Sequence, residues 1–403
     1  STFAPLAFSS CATIALAAEL PKNDAVKPVE VVRTGDYSEG VVVDHDGNLY
    51  FSHGKLISKV TPDGKHEIWA KLSAPNGHKI LADGSHLVCD GDRHAVLHLD
   101  PLARELAPES TSSEGTPLRG PNDLTLDPKG GFYFTDPGGS SDEKPIGTVH
   151  YVNEDHVTRT VATNLAFPNG IVLRPGGKEL LVGESKKNRI LAFPVLEPGK
   201  LGPMRVLANL PTKGEGQEDN QPDGIALDAD GNLFVAHYGM RQVEVVSPSG
   251  EVIRRYPGGN LTTSNVAFAG PKMDQLYMTG GDPGALFRLD LGVKGLTILP
   301  ARKKTAGERF PVSGTVTFEG KPLEKGEISF VPVENSPGKA ASGVIQDGKF
   351  TLTTVGEEGA QPGTYAVAII AKGVVPAKFE TVETSPLKVE LKATTNTISF
   401  NLK

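Results

Sequence analysis

The chain has 403 residues, of which 46 are glycine and 31 are proline, together about a fifth of the sequence. This share is above average usage and leaves little room for long helices, so it argues against a helical bundle or a coiled coil. Lys and Arg number 41 against 48 Asp and Glu, for a net charge of −7. Without a basic excess we expect no nucleic-acid partner, and without a run of eighteen apolar residues we expect no membrane span.

The first twenty residues, STFAPLAFSSCATIALAAEL, have the composition of the apolar and cleavage regions of a secretory signal. Ala15-Leu16-Ala17 is a suitable cleavage site, although the basic start and the initiator Met are missing. We interpret residues 1–20 as a truncated leader, with a disordered tail as the alternative, and predict a secreted or periplasmic protein. Cys11 lies in this leader, in a weak match to a lipid-attachment sequence. Cys89 is then the single thiol of the folded part.

Six segments repeat one phrase, which consists of a polar residue, an apolar strand, a tight turn and a second apolar strand. They are SEGVVVDHDGNLYF from Ser38, PNGHKILADGSHLV from Pro75, PNDLTLDPKGGFYF from Pro121, PNGIVLRPGGKELL from Pro168, PDGIALDADGNLFV from Pro222 and SNVAFAGPKMDQLYM from Ser264. In the first five segments a glycine lies eight residues after the leading polar residue. The Asp-Gly pairs at 46, 83 and 230 predict two-residue hairpin turns with positive φ.

Short β-rich runs follow each hairpin, for example Leu56–Val60 and His66–Ala70, which gives about four strands in each repeat. A four-stranded unit that occurs six times is typical of a β-propeller, in which the blades surround a central channel. A β-sandwich would not explain the regular period. The sequence therefore predicts an all-β fold with a six-bladed β-propeller over residues 29–300.

The composition changes after Pro300. Residues 301–309 begin with the polar and basic stretch ARKKTAG and are interpreted as a linker. Residues 310–403 contain alternating runs such as VSGTVTF, GEISFVPV and NTISFNL, with an Asp347-Gly348 hairpin between two of them. This pattern predicts a small β-sandwich of the immunoglobulin-like or transthyretin-like type. The region has neither Cys nor His, so we expect an accessory rather than a catalytic role.

One column of the aligned repeats carries oxygen donors. It contains Glu39, Asn76, Asn122, Asn169, Asp223 and Asn265. Because the innermost strand of each blade runs along the channel, these positions are expected to form a ring at one mouth. Oxygen-only donors suit a hard divalent cation, first Ca²⁺ and alternatively Mg²⁺ or Mn²⁺, rather than zinc. The alternative is that Asn and Asp only form turns. Turn formation does not require Glu39, but a structural role fits Asn76 and Asn265 better than a ligand role.

The phrases SEGVVVD, GPNDLTLDPKGGFYFTDP, FPNGIVLRPGGKELLVGES and QPDGIALDADGNLFVA resemble, in this order, the gluconolactonase or regucalcin-like family of calcium-dependent lactonase propellers. The resemblance spans about residues 30–299. It implies that Glu39, Asn169 and Asp223 hold the metal and that Asn122 contacts the substrate or the metal through water. The C-terminal region resembles a carboxypeptidase-regulatory, transthyretin-like module.

The sequence departs from the family pattern near Asn122. Regucalcin-like members have a sugar-holding Arg two residues before this Asn, where this chain has Gly120, with Arg119 one step further. This departure bears on the sugar preference more than on the chemistry. Arg119, Asn122, Asp123 and His78 are the candidate substrate contacts. His78 follows Asn76-Gly77 and is expected to face the same channel mouth.

The resemblance implies metal-assisted hydrolysis of a lactone or a related ester, in which the cation accepts the carbonyl oxygen and water attacks the carbonyl carbon. Asp223 is the candidate base, and water activated by the metal is the competing one. Asp123 and Asp136 are second choices, for which turn formation or strand-end capping is the simpler explanation.

Two other functions fit the sequence. One is a non-enzymatic propeller that binds extracellular glycan or protein, since fold does not determine function. The other keeps the metal site but hydrolyses other esters or phosphotriesters. A pure scaffold has no need of Glu39, Asn169 and Asp223 at matching positions, which favours an enzyme. The combination of export and an accessory β domain further predicts a contact of residues 310–403 with extracellular polymer or the cell envelope.

Overall fold

The computed structural model describes residues 19–296, 298, 300, 309–333, 336, 339–354, 357–392 and 394–403. The predicted leader lies outside these residues except for its last two positions, and the predicted linker except for its last one. Both stay predictions, as does export. The chain divides into two compact units, Ser1–Arg302 and Lys303–Lys403.

The first unit is a six-bladed β-propeller, as predicted. Blades 1 to 3 follow one another along the chain as separate antiparallel sheets. Blade 1 contains Ser38–Val43, Leu49–His53, Leu56–Val60 and His66–Lys71. Blade 2 contains Pro75–Ile80, His86–Asp90 and Ala95–Leu99. Blade 3 contains Leu124–Leu126, Phe132–Asp136, Gly147–Val152 and Thr158–Leu165, after a small hairpin of Ser112–Ser113 and Thr116–Pro117.

Blades 4 to 6 complete the circle. Blade 4 contains Pro168–Leu173, Glu179–Glu184, Arg189–Glu197, Lys200–Leu201 and Arg205–Asn209. Blade 5 contains Gln221–Leu227, Leu233–Tyr238, Gln242–Val246 and Val252–Pro257. Blade 6 contains Thr262–Ala269, Gln275–Gly281 and Ala285–Asp290. The first strand of every blade contacts the first strands of both neighbouring blades, and that of blade 6 contacts that of blade 1, so these six inner strands form a closed ring.

The N-terminal strand closes the propeller. Val29–Arg33 pairs antiparallel with Ala285–Asp290 and supplies the fourth strand of blade 6. This pairing joins the two ends of the propeller chain with backbone hydrogen bonds, which the repeat pattern did not predict. Blade 2 also departs from the predicted four strands, since its outer edge carries only isolated bridges from Val96 to Ser110 and from Leu99 to Glu105.

The turns between the first two strands of each blade are wider than predicted. In blade 1 the strands end at Val43 and resume at Leu49, so the connection has five residues. The Asp44 carboxylate accepts the N–H groups of Asp46 and Asn48 at 2.9 and 2.8 Å, and Gly47 adopts φ +82°. The predicted positive φ of the glycine is confirmed. The predicted two-residue turn is wrong here, because the Asp44 side chain stabilises a longer one.

The second unit is the predicted additional β domain. Its strands are Val312–Phe318, Lys321–Pro322, Lys325–Pro332, Ala341–Gln346, Lys349–Thr351, Thr353–Thr354, Glu357–Glu358, Gly363–Ile370, Lys388–Leu391 and Asn396–Leu402. Hydrogen bonds join them into one continuous sheet. Its residues enclose a single core in which Phe330 lies edge-on to Phe400. The Asp347-Gly348 hairpin is a true two-residue turn, with φ +48° and +73°. Contact of this unit with a polymer stays a prediction.

Helix is nearly absent from the described part of the chain, where it is limited to the 3₁₀ turns Ser185–Lys187 and Ala377–Phe379. Neither turn is long enough to cross a membrane, and no other described segment is a helix. Cys89 is a free thiol buried in the core between blades 2 and 3.

Candidate active site

The column of oxygen donors lies at the start of the inner strands, where five of the six blades have a β-bulge. The pairing register shifts at Glu39/Val41, Pro75/His78, Pro168/Ile171, Pro222/Ile225 and Thr263/Val266. A bulge adds an unpaired residue and turns the side chains beside it out of the regular alternation. The repeated phrase thus places the donor side chains in a ring at one mouth of the channel.

The register revises the sixth member of this column. Val266 pairs with Met278 as Val41 pairs with Phe51, so Ser264 is the equivalent of Glu39. Asn265 instead occupies the next position, which is a glycine in blades 1, 2, 4 and 5. The equivalent residue of blade 3 is Asp123. Asn265 and Asp123 therefore occupy equivalent positions in the ring. The sequence alignment had placed Asn265 in the column of donors and had left Asp123 beside it.

The glycines beside the donors allow the inner strands to approach closely. A Cβ atom on Gly170 would lie 2.0 Å from the Asp223 carbonyl oxygen. A Cβ on Gly77 would lie 2.3 Å from Asp123 Oδ1, and one on Gly224 would lie 2.4 Å from Asn265 Cγ. Asp123 and Asn265 therefore fill space that a side chain of the preceding blade would otherwise occupy.

Two carboxylates of the ring are buried in an electrostatically unfavourable arrangement. Burial, with a smaller contribution from the negative charge of Asp123, raises the pKa of Glu39 to about 7. Burial also raises the pKa of Asp223 well above its ordinary value, with added repulsion from Glu39 and Asp123. Tyr37 partly offsets the rise in the pKa of Glu39, because its hydroxyl donates a hydrogen bond to Glu39 Oε1 at 2.9 Å.

Two side-chain amide oxygens beside these carboxylates lack hydrogen-bond partners. Asn169 is 7% exposed, and its Oδ1 atom is buried without a hydrogen-bond partner. Its side chain also interacts with Asp223 and lowers the pKa of that carboxyl group. The Oδ1 atom of Asn76 is likewise buried and unpartnered. A buried oxygen without a donor costs free energy, unless a ligand engages it.

These residues fit a hard divalent cation. Glu39, Asn169 and Asp223 offer carboxylate and amide oxygens, which are the donors that calcium prefers. In the described part of the chain, no three His, Cys, Asp or Glu side chains converge closely enough to hold an ion by themselves. A cation bound by Glu39 and Asp223 would therefore need a further oxygen ligand, which the amide of Asn169 could supply.

The other predicted site residues lie in different environments. Asn122 is half-buried at the mouth, and its backbone bonds to Thr135 and Gly77. The Arg119 guanidinium donates to the Ile146 carbonyl oxygen at 2.5 Å, so it is already engaged within blade 3. The Asp136 carboxylate accepts the Arg119 backbone N–H at 2.9 Å, as expected for strand-end capping.

His78 does not face the mouth as predicted. Its side chain is fully buried, both ring nitrogens lack hydrogen-bond partners, and its ring lies 5.6 Å from that of His86. Tyr50 and Trp69 pack against His86 from the side of blade 1. The structure therefore places the His78 ring in the core between blades 1 and 2.

We expect this buried pair to make the propeller sensitive to acid. Burial lowers the pKa of His86 to about 3 and that of His78 well below its usual value, helped by the nearby charge of Lys59 on His86. For His86, folding stability is unaffected above the unfolded pKa near 6.5 and falls progressively as the pH drops toward 3, by about 2 kcal/mol at pH 5. The lowered pKa of His78 changes stability in the same direction. Calorimetric unfolding between pH 7 and pH 5 should show a smaller loss of stability for His86→Phe than for the parent. The exposed His94→Gln should behave like the parent, and equal pH dependence of all three proteins would contradict this interpretation.

Two tyrosines also lie at the mouth of the channel, although neither belongs to the aligned column of oxygen donors. Tyr37 is 42% exposed as a residue, and its ring lies edge-on to that of Tyr238, with 6.3 Å between ring centroids. Burial of its hydroxyl and the charges of Glu39 and Asp223 raise the pKa of Tyr37 well above its ordinary value. The proximity of Tyr37 to Glu39 in sequence was the available signal for it, and Tyr238 ends the second strand of blade 5.

Comparison with known proteins agrees with this architecture. Lactonase drp35 of Staphylococcus saprophyticus is 33% identical over 280 residues, which cover 66% of this chain and 84% of the relative. The gluconolactonase of Zymomonas mobilis is 29% identical over 295 residues, which cover 64% and 82%. The solved structure of a gluconolactonase from Xanthomonas campestris shares the fold at a TM-score of 0.59, with 23% identity over 67% of this chain and 91% of that one. The family model described as the SMP-30/Gluconolactonase/LRE-like region matches residues 37–282, and the chain belongs to this family.

Proposed function

We propose that this protein is a lactone hydrolase that uses a divalent cation, first calcium, held by Glu39, Asn169 and Asp223. The observation that carries the proposal is the buried and unpartnered Asn169 Oδ1 atom beside two buried carboxylates whose charges repel each other. A cation between them satisfies the amide oxygen and offsets the repulsion. The names of the curated relatives, lactonase and gluconolactonase, support a lactone as the substrate.

Different residues at the mouth of the channel would have different roles in the reaction. When bound, the cation would polarise the lactone carbonyl and stabilise the charge that develops on its oxygen. Tyr37 holds Glu39 through the hydrogen bond to Oε1 and so fixes the direction of that carboxylate. Asp223 is our candidate for the base that takes a proton from the attacking water. Asp223 is only 4% exposed, and this burial raises its pKa, which makes the ionised carboxylate a stronger base.

The metal requirement and the substrate class are tested together. The purified protein is depleted of metal with a chelator and assayed on an aldonolactone, an aromatic lactone, a simple ester and a phosphotriester, before and after Ca²⁺ is restored. We expect lactone hydrolysis that is lost on depletion and regained with Ca²⁺. Unchanged lactonase activity after exhaustive metal removal would reject the metal, and turnover of the phosphotriester alone would reject the substrate class.

A further inference from the structure

A lysine side chain lies inside the ring of inner strands, just below the candidate site. Lys79 is three residues after Asn76 on the inner strand of blade 2, and its side chain is only 15% exposed. It lines a cavity of about 50 Å³ together with apolar residues such as Val42 and Ala226. The equivalent positions of the other five blades are all uncharged: Val42, Thr125, Val172, Ala226 and Ala267. Lys79 is thus the exception in an otherwise uncharged layer.

The Lys79 ammonium group is directed at a carboxylate of the ring. Its Nζ atom lies 3.7 Å from Asp123 Oδ1 and donates a hydrogen bond to the His78 carbonyl oxygen at 3.2 Å. Asp123 is 2% exposed, and the same Oδ1 atom accepts the Leu124 N–H at 2.8 Å. These contacts engage the Oδ1 atom of Asp123, and the charge of the same carboxylate acts on Glu39 and Asp223.

Stability alone does not account for this lysine. Burying an ion pair costs desolvation energy that the attraction between the charges often fails to repay, and apolar residues of similar size are frequently as stable or more so. The inner strands of blades 1, 4, 5 and 6 show that valine or alanine suits this layer. A charge at this position is therefore better explained by its electrostatic effect on the nearby ring.

We propose that Lys79 is a positioning residue that sets the charge of the metal site and thereby its preference for a divalent ion. When all three are ionised, as cation binding would require, Glu39, Asp123 and Asp223 carry three negative charges. Lys79 carries one positive charge, which leaves two negative charges to be balanced by one divalent cation. By pairing with Asp123, Lys79 also keeps this carboxylate from becoming a third anionic ligand. This inference rests on the proposed function, since it assumes that the ring binds a cation.

The test compares variants of the full chain that change this charge one unit at a time. Calorimetric titration at low ionic strength measures the Kd of Ca²⁺ and of La³⁺, a trivalent ion of similar size. Lys79→Met leaves three negative charges and should tighten La³⁺ binding relative to Ca²⁺ by about tenfold or more. Asp123→Asn leaves one negative charge and should weaken Ca²⁺ binding by about tenfold. The double variant restores two negative charges and should return the La³⁺ to Ca²⁺ preference toward that of the parent.

Matched variants separate charge from packing. Lys79→Arg keeps the charge and should keep the parental preference, while Lys65→Met removes an exposed lysine of blade 1 and should change neither Kd. Circular dichroism checks that each variant is folded, and if Lys79→Met is not, Lys79→Gln takes its place. Parental binding of both ions by a folded Lys79→Met or Lys79→Gln protein would overturn the inference while leaving the metal site intact. Failure of the parent to bind either ion would reject the proposed function itself.

Discussion

Asp223→Asn is expected to lower lactone turnover by about a thousandfold and to weaken Ca²⁺ binding strongly, while the propeller stays folded. The substitution removes the candidate base and one anionic ligand but keeps the size of the side chain. Because Glu39 and Asp123 repel the buried Asp223 carboxylate, the metal-free variant should unfold at a temperature at least as high as that of the metal-free parent. Turnover, calorimetric Ca²⁺ titration and thermal unfolding measure the three effects.

A second buried carboxylate provides the matched control. Asp136 is 1% exposed and caps the backbone N–H of Arg119 at the end of a blade 3 strand. Asp136→Asn should retain parental Ca²⁺ affinity, even if it lowers stability. If Asp223→Asn hydrolysed lactones at the parental rate, or if Asp136→Asn lost Ca²⁺ binding to the same extent, the assignment of Asp223 would be wrong.

The repeat pattern was sufficient for the architecture of the propeller. Each phrase combines a polar residue, an apolar strand and a turn glycine, and local sequence determines all three. The glycine of each turn indeed has positive φ, as at Gly47 and Gly231. The closing strand Val29–Arg33 was not predictable in this way, because its partner lies about 255 residues further along the chain. Its pairing depends on the geometry of the closed ring.

The candidate site was predictable only in part. Alignment brought Glu39, Asn169 and Asp223 into one column, and the structure brings their inner strands into one ring. Alignment did not reveal the bulges, which make Ser264 rather than Asn265 the equivalent of Glu39. The direction of His78 also depends on such a bulge, since a shift of one residue moves a strand side chain to the other face. Such shifts arise from packing between blades and leave no mark on hydrophobic alternation.

Gly170→Ala is expected to destabilise the propeller by at least about 3 kcal/mol and to lower its unfolding temperature by about 6 °C or more. The added Cβ would lie 2.0 Å from the Asp223 carbonyl oxygen, and this backbone atom moves only if the inner strand of blade 5 moves with it. Since Gly170 has no positive φ, the contact between strands and not the backbone conformation produces the effect.

The same contact links the packing of the ring to the site, because the displaced strand carries Asp223. Gly170→Ala should therefore weaken Ca²⁺ binding as well as stability. Gly91→Ala is the matched control, since a Cβ at Gly91 meets no atom within 4 Å and its φ is not positive. We expect Gly91→Ala to change the unfolding free energy by less than about 0.5 kcal/mol. Equal unfolding temperatures for the two variants would show that the inner strands of blades 4 and 5 can move apart. The position of Asp223 would then not depend on a glycine at residue 170.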